Sequence, residues 1–454
     1  SNSISVFKTK TKTHKKHNNK SFFNNLFRSS TKKLSSKSSK LSSTKSKSTK
    51  TKSLFKRSID VSLDKALFNS NNSVVQVGLM IDSRKDFTKD NPNEDYDNFK
   101  EQLRYYRSKG KDKTKNLNQI VQHILGDNSV SQAWLKMYEI ISDCNIVPNI
   151  TNIHSKNSVF KSFHFCEAPG TFINCLNNYI YTKTNFTKFE WLAQSLHPRL
   201  AKIKDSYGLI KRHPNNWDWG VDKTGDITNP ANIKYYAKII KLFSMDTPAT
   251  KPSTTYSTTP STPFLITSDA GLEPEDPMYK LVAYTSYLAI LYSLPNNGTM
   301  IYKIKDIPLE LPLIWNLIYI TYTNFKEMYF FKPVQNSQSR EFYIIAKGYL
   351  GTDTKVLEYL MKQIDKFDKK TYEPPNTDLF NDMYPEEFVV QLTSIYDKLV
   401  ANYVKSIERI IYYVDNKELI GKDYIKHIKD YVEEKNEDWL RKYKIKRLAK
   451  NKIL

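Results

Sequence analysis

The chain has 454 residues, a formal net charge of +23 and 3 cysteines. Residues 1–57 hold 17 Lys and Arg and no Asp or Glu, so everything after them carries a net of only +6. The length exceeds one ordinary domain, no apolar run reaches the roughly 18 residues of a membrane helix, and three cysteines without a CxxC pair make neither a disulfide framework nor a zinc cage. The expectation is a soluble protein of a reducing compartment, without a secretory leader. Only 12 glycines occur, and neither GxGxxG nor GxxxxGK(S/T) is among their settings, which excludes the common dinucleotide and P-loop phosphate sites.

Taken in chain order, residues 1–58 are Ser-, Lys-, Thr- and Asn-rich, with an aromatic island at Phe22, Phe23 and Phe27, and read as a disordered basic tail. Residues 59–114 form an accessory segment with a strand-like run, Val74 to Met80, and a charged helical stretch near Asp95 to Arg107. From 115 to 352, apolar runs alternate with helical patterns, which predicts an α/β fold: a mostly parallel sheet flanked by helices. The predicted strands are Ser162 to Cys166, Lys188 to Ala193, Phe264 to Ser268, Thr299 to Ile304, Glu327 to Lys332 and Phe342 to Ala346. The last two are too close in sequence for a parallel crossover and should pair antiparallel. A Ser/Thr/Pro-rich stretch at 246–263 reads as a flexible surface insertion. Residues 353–454 are a charged helical extension with a basic amphipathic finish from Trp439 to Leu454.

The segment SFHFCEAPGTFI, Ser162 to Ile173, runs an apolar strand into a tight turn and then a helix. Such a turn lies at the C-terminal edge of a strand, where open α/β sheets bind ligands. Gly170 would permit close backbone approach, and the N–H groups opening the next helix would meet a ligand carboxylate. Alone, this could equally be an ordinary strand-to-helix turn. Three further segments bear on it: AWLKMYEII (Ala133 to Ile141) carries Lys136 on an amphipathic helix, TSDAGL (Thr267 to Leu272) puts Asp269 just past a strand, and GTMIYKIKD (Gly298 to Asp306) puts Lys303 on the next. Glu341 opens the final hairpin strand. Each residue alone also reads as a solvated charge or an end cap.

In this order and context the four segments resemble the FtsJ-like family of RNA ribose 2′-O-methyltransferases, and AWLKMYE with CExPG is similar to the FtsJ-like proteins of large DNA viruses that replicate in cytoplasm. The resemblance covers roughly residues 115–350. It implies a Rossmann-like methyltransferase fold, S-adenosyl-L-methionine as cofactor, and Lys136, Asp269, Lys303 and Glu341 as the catalytic set. Lys305 lies two residues from Lys303 on the same strand face; the family spacing from the glycine that opens the strand favours Lys303. The cofactor contacts implied are Cys166, Glu167, Ala168, Pro169, Gly170, Thr171, Phe172, Ser195, Leu196, Asp226, Ile227 and Asp269, Asp226 also reading as a plain turn aspartate. Two departures stand out: Thr171 where the family has a second glycine, and His164 where it has an acidic residue, both expected to weaken the cofactor site.

Methyl transfer from a sulfonium to a ribose hydroxyl needs alignment and a better nucleophile. Lys303 would orient and help deprotonate the 2′-hydroxyl, burial and the ammonium of Lys136 pushing its pKa down while Asp269 and Glu341 oppose that shift. The substrate implied is RNA, with capped mRNA and its first transcribed nucleotide the leading form and ribosomal or transfer RNA another. Partners implied are other capping or transcription subunits, and the place is a viral host's cytoplasm and the virion. The competing reading is an inactive FtsJ-like RNA-binding or assembly subunit. Nothing in the sequence calls for a metal.

Overall fold

Alternation along the strands builds the molecule. In Met300, Tyr302 and Ile304 one set of side chains enters one apolar cluster, while Ile301 between them enters another. The period of two thus gives a sheet with a core on each face, as parallel strands buried on both sides require. The structure is a computed structural model that describes residues 5–8, 116–148, 158–201, 203–245, 263–273, 276–305, 312–336, 339, 341–375, parts of 384–399, and 424–454.

The strands are β1 (Ser5–Lys8), β2 (Val159–Phe165), β3 (Lys188–Gln194), β4 (Trp217–Asp218), β5 (Phe264–Ser268), β6 (Thr299–Ile304), β7 (Phe325–Phe331) and β8 (Phe342–Tyr349). They form one sheet in the order β1-β7-β8-β6-β5-β2-β3-β4. The neighbours from β6 to β4 are parallel, whereas β8 pairs antiparallel with both β6 and β7. The predicted hairpin is present, with β8 inserted between its partner and the parallel strands. All six predicted strands appear, Phe264–Ser268 and Thr299–Ile304 with the predicted ends and the other four with shifted ends; the two-residue β4 had no signal of its own. Ser5–Lys8, inside the stretch read as a disordered tail, pairs antiparallel with β7. The rest of that tail, the segment from 59 to 115 with Val74 to Met80 and Asp95 to Arg107, and the insertion at 246–262 lie outside the described residues.

Helices α1 (Leu117–Leu125), α2 (Gln132–Asp143) and α3 (Thr171–Lys183) cover one face. Helices α4 (Pro230–Ser244), α5 (Tyr279–Ser293), α6 (Pro312–Asn324) and α7 (Thr354–Gln363) cover the other. α5 is apolar nearly all round and correspondingly buried on most of its surface. α8 (Tyr424–Tyr443) lies on the α1–α3 face, where Trp439 and Tyr443 join the core and pack their rings on Tyr138. The helix predicted to run from Trp439 to Leu454 ends at Tyr443. Lys444 takes a left-handed conformation (φ 44°), and Lys183 Nζ donates to the carbonyls of Tyr443 and Lys444, which replaces the next helical turn. Among the described residues no helix is long and apolar enough to cross a membrane.

Candidate active site

The strand parity that sends Ile301 toward α2 and α3 also sends Lys303 there, at the C-terminal end of β6. Its ammonium meets Asp269, just past β5, at 2.9 Å from Oδ1 and 3.1 Å from the main-chain oxygen. From α2, Lys136 reaches Glu341 Oε1 at 2.7 Å. Tyr343 joins the two pairs: its phenol donates to Glu341 Oε1 at 3.1 Å and lies 3.5 Å from Asp269 Oδ1. The four charged residues predicted from separate segments therefore form one cluster. Lys305 follows the end of β6 and turns instead to Glu273 at 2.5 Å and the carbonyl of Gly271.

The electrostatics differ from the expectation for Lys303. Burial opposes its charge, but Asp269 and Glu341 outweigh burial and hold its pKa above the ordinary lysine value. Lys136 spends its charge on Glu341 instead. Burial works against the Glu341 carboxylate too, yet Lys136 and then Lys303 keep its pKa low. The lysine that burial does depress is Lys332, pushed down to about 7 against the pull of Glu341 and with the help of Lys136. Lys332 Nζ donates to the carbonyls of Ser339 and Glu341, so it closes the β7–β8 loop directly behind Glu341. Sequence reasoning passed over both Lys332 and Tyr343. Tyr343 had a signal, since it lies two residues beyond Glu341 on the same strand face.

Glu139, one turn along α2 from Lys136, is a further buried carboxylate. Its Oε2 accepts from Val334 N of the β7–β8 loop at 2.7 Å, and its Oε1 accepts from Trp439 Nε1 of α8 at 2.9 Å. One side chain thus ties together α2, the loop before Glu341 and the C-terminal helix. Burial pushes its carboxyl up to about 7, these hydrogen bonds acting in the opposite sense.

The turn after β2 begins at Cys166 (φ 55°) and includes a cis Ala168–Pro169 bond and Gly170 at φ 103°. The φ of Gly170 favours glycine, and a Cβ there would also have to displace the end of the Leu209 side chain, 2.3 Å away. Gln194 Oε1 accepts from Cys166 N, and Ser195 Oγ accepts from Ala168 N, which fixes the turn to the end of β3. The helix opening is not free for a ligand. Glu167 Oε1 accepts from Phe172 N at 2.8 Å and from Ile173 N at 3.3 Å, an internal carboxylate where a ligand's was expected. Glu167 and Phe172 are buried and Thr171 opens α3, whereas Cys166, Ala168 and Pro169 are partly exposed at the sheet edge.

Ser195 and Leu196 follow β3 at the same edge, while Trp191 lies deeper, packed on Trp217 and His213. A Cβ on Gly225 would meet the Ser195 carbonyl at 1.9 Å, so the two loops touch backbone to backbone and bring Asp226 and Ile227 beside the turn. Asp226 Oδ1 accepts from Thr228 N and Oγ1, a local turn, which leaves Oδ2 without a hydrogen bond among the described residues. Ile227 is buried beneath it. His164 is buried inside the sheet between Ser162 Oγ and Thr267 Oγ1, each at 2.7 Å, and burial pushes its pKa down to about 3. It is therefore a neutral sheet residue rather than a charge at the edge. Among the described residues no group of His, Cys, Asp and Glu has the arrangement to hold a metal.

Residues 129–349 match the family model described as FtsJ-like methyltransferase. Over 344 residues the chain is 29% identical to an uncharacterized protein of Acanthamoeba polyphaga mimivirus, covering 73% of this chain and 39% of that protein. It is 28% identical over 274 residues to a probable methyltransferase of African swine fever virus, covering 56% of this chain and 58% of the relative. It is 24% identical over 256 residues to the cap-specific mRNA (nucleoside-2′-O-)-methyltransferase 2 of Mus musculus, covering 53% and 30%. The chain thus spans well under two thirds of each of these relatives. The matched segment contains the sheet from β2 to β8, the CEAPG turn and the paired lysines and carboxylates, and over this segment the chain is similar to the FtsJ-like methyltransferases.

Proposed function

We propose that the protein is an S-adenosyl-L-methionine-dependent RNA ribose 2′-O-methyltransferase acting on the first transcribed nucleotide of capped mRNA. The observation that carries this reading is the junction of the Lys303–Asp269 and Lys136–Glu341 pairs through Tyr343 at the C-terminal edge of the sheet. The cap preference is supported by relatives such as the mouse protein, which is cap-specific by name.

When bound, the cofactor supplies a methyl group on a sulfonium sulfur, a good leaving group. The residues around the turn fit such a molecule: Cys166, Ala168 and Pro169 are partly exposed there, Leu196 offers an exposed apolar side chain, and Asp226 Oδ2 an acceptor without a donor among the described residues. Ser195 and Ile227 would line the same edge, with Asp269 between cofactor and acceptor. The Lys303 ammonium has three donors. Asp269 takes two of them, and the third is left to orient a ribose hydroxyl. As the carbon–sulfur bond breaks and the carbon–oxygen bond forms, the hydroxyl proton must leave. Lys303 accepts it only after shedding its own, so Asp269 and Glu341, which stabilise the ammonium, set how much of the reactive neutral form exists at a given pH. Asp269 fixes the amine in place, and the Lys136–Glu341 pair holds the second carboxylate in its charged form.

The test is to incubate capped and uncapped RNA with methyl-labelled cofactor and digest the product to nucleosides. Label on the 2′-oxygen of the nucleotide beside the cap is the expected result. Label on a base, or none on either RNA, overturns the reading.

A further inference from the structure

Residues 444–454 run back over the C-terminal half of α3, the half remote from the CEAPG turn. They are pinned there through their carbonyls: Asn178 Nδ2 donates to Lys446 O at 3.1 Å, Asn177 Nδ2 to Lys452 O at 2.7 Å, and Lys183 Nζ to Lys444 O at 2.7 Å. The path is therefore fixed, and it presents Lys444, Lys446, Arg447 and Lys450 exposed, with Lys452 lying over the Tyr181 ring at 4.4 Å. The stretch contains no Asp or Glu. Among the described residues none of these five cations, nor Lys183 beneath them, has a carboxylate within ion-pairing distance, whereas Lys442 just before them is paired with Asp143. The like charges are felt: after burial, Lys446 and Lys444 are what hold the Lys183 pKa below the ordinary lysine value.

The negative pole at the C-terminal end of α3 compensates part of this charge, but a helix end amounts to about half an elementary charge against six cations. The rest awaits an anion. A protein partner is the weaker fit, because protein interfaces are poor in lysine and gather around buried aromatic or apolar anchors. Here the exposed large apolar side chain of the stretch is Ile453 alone among the described residues. Rotatable lysine point charges at fixed, uncrowded positions suit sequence-blind contact with phosphates.

We infer that residues 444–452 together with Lys183 form a phosphate-backbone surface for RNA, separate from the catalytic edge. Apart from Lys183 it lies outside the family-matched segment, and along α3 it runs from about 10 Å beyond the CEAPG turn, at Asn177 and Asn178, to about 20 Å, at Lys183. Only an RNA long enough to leave the site and travel along α3 can reach it. The inference rests on the reading that the substrate is RNA.

The experiment uses the full chain and the triple variant Lys444→Gln, Lys446→Gln, Lys450→Gln, with a trinucleotide and an RNA of about 30 nucleotides, at several salt concentrations. For the long RNA the slope of log affinity against log salt should fall by about 0.7 for each phosphate no longer neutralised, about 2 in all. Methylation of the trinucleotide and the melting temperature should stay as in the wild type. If the long RNA binds the variant with the wild-type affinity and slope, the surface is wrong while the reading of the substrate stands. If the variant weakens RNA binding but the wild type methylates no RNA, the function is wrong and the surface stands. Unchanged RNA binding with weakened binding of poly-glutamate would assign the surface to an acidic protein and overturn the inference.

Discussion

Tyr343 sits opposite Lys303 in the antiparallel register of β6 and β8, and its phenol links the carboxylates of Glu341 and Asp269. Burial, then the two carboxylates, hold its proton in place far above the ordinary phenol range. It is therefore a permanent donor between two negative charges that would otherwise repel each other.

Tyr343→Phe removes that donor and leaves the ring's packing. A hydrogen bond to a charged group is worth about 1.5–3 kcal/mol, so kcat should fall by about 10- to 100-fold while cofactor affinity holds within about twofold. Calorimetric cofactor titration beside steady-state kinetics separates the two effects. A variant with wild-type kcat would show that the phenol only fills space.

The pH dependence has a definite sign. Carboxylates raise the Lys303 pKa, so kcat/KM should climb with pH as the neutral amine becomes populated. Glu341→Gln removes one of the charges that favour the ammonium, and the rising limb should move to lower pH even as the maximal rate drops. A limb that stays in place in this variant would mean that another group takes the hydroxyl proton.

Glu139 makes stability fall as pH rises. Its carboxyl is raised from 4.5 to about 7 in the fold, so the unfolded chain releases this proton first. The stability contribution is complete below about pH 4.5 and is lost as pH passes about 7, a change of about 3 kcal/mol. Glu139→Gln cannot titrate, and the difference in unfolding free energy between wild type and variant should shrink or reverse between about pH 5 and about pH 8. An unchanged difference would mean that the carboxyl does not titrate across this range.

The strands and the mostly parallel character of the sheet were legible because each is a short apolar run with a turn after it, and the brief hairpin link left antiparallel pairing as the only choice for the last two; the order of the strands across the sheet was not. Lys136, Asp269, Lys303 and Glu341 were legible as a set only through the family resemblance of their motifs in this order, since each alone also reads as a solvated charge or an end cap. What escaped was set by tertiary contact. The β4 strand has two residues and exists through pairing with β3. Glu167 looked like part of a ligand turn, yet it caps the helix itself because it is the nearest acceptor to two buried N–H groups. The net shift at Lys303 depends on distances to two carboxylates that no local pattern encodes. Glu139 and Trp439, 300 residues apart, could be joined only by the fold.

The most direct measurement is single-turnover transfer of labelled methyl to capped RNA by wild type, Lys303→Met and Lys305→Met at saturating cofactor. Ribose labelling that persists in Lys305→Met and drops by about 10²- to 10⁴-fold in Lys303→Met is the predicted result. Labelling of the 2′-oxygen by Lys303→Met at the wild-type rate would contradict the role of Lys303 and, with it, the proposed chemistry of the site.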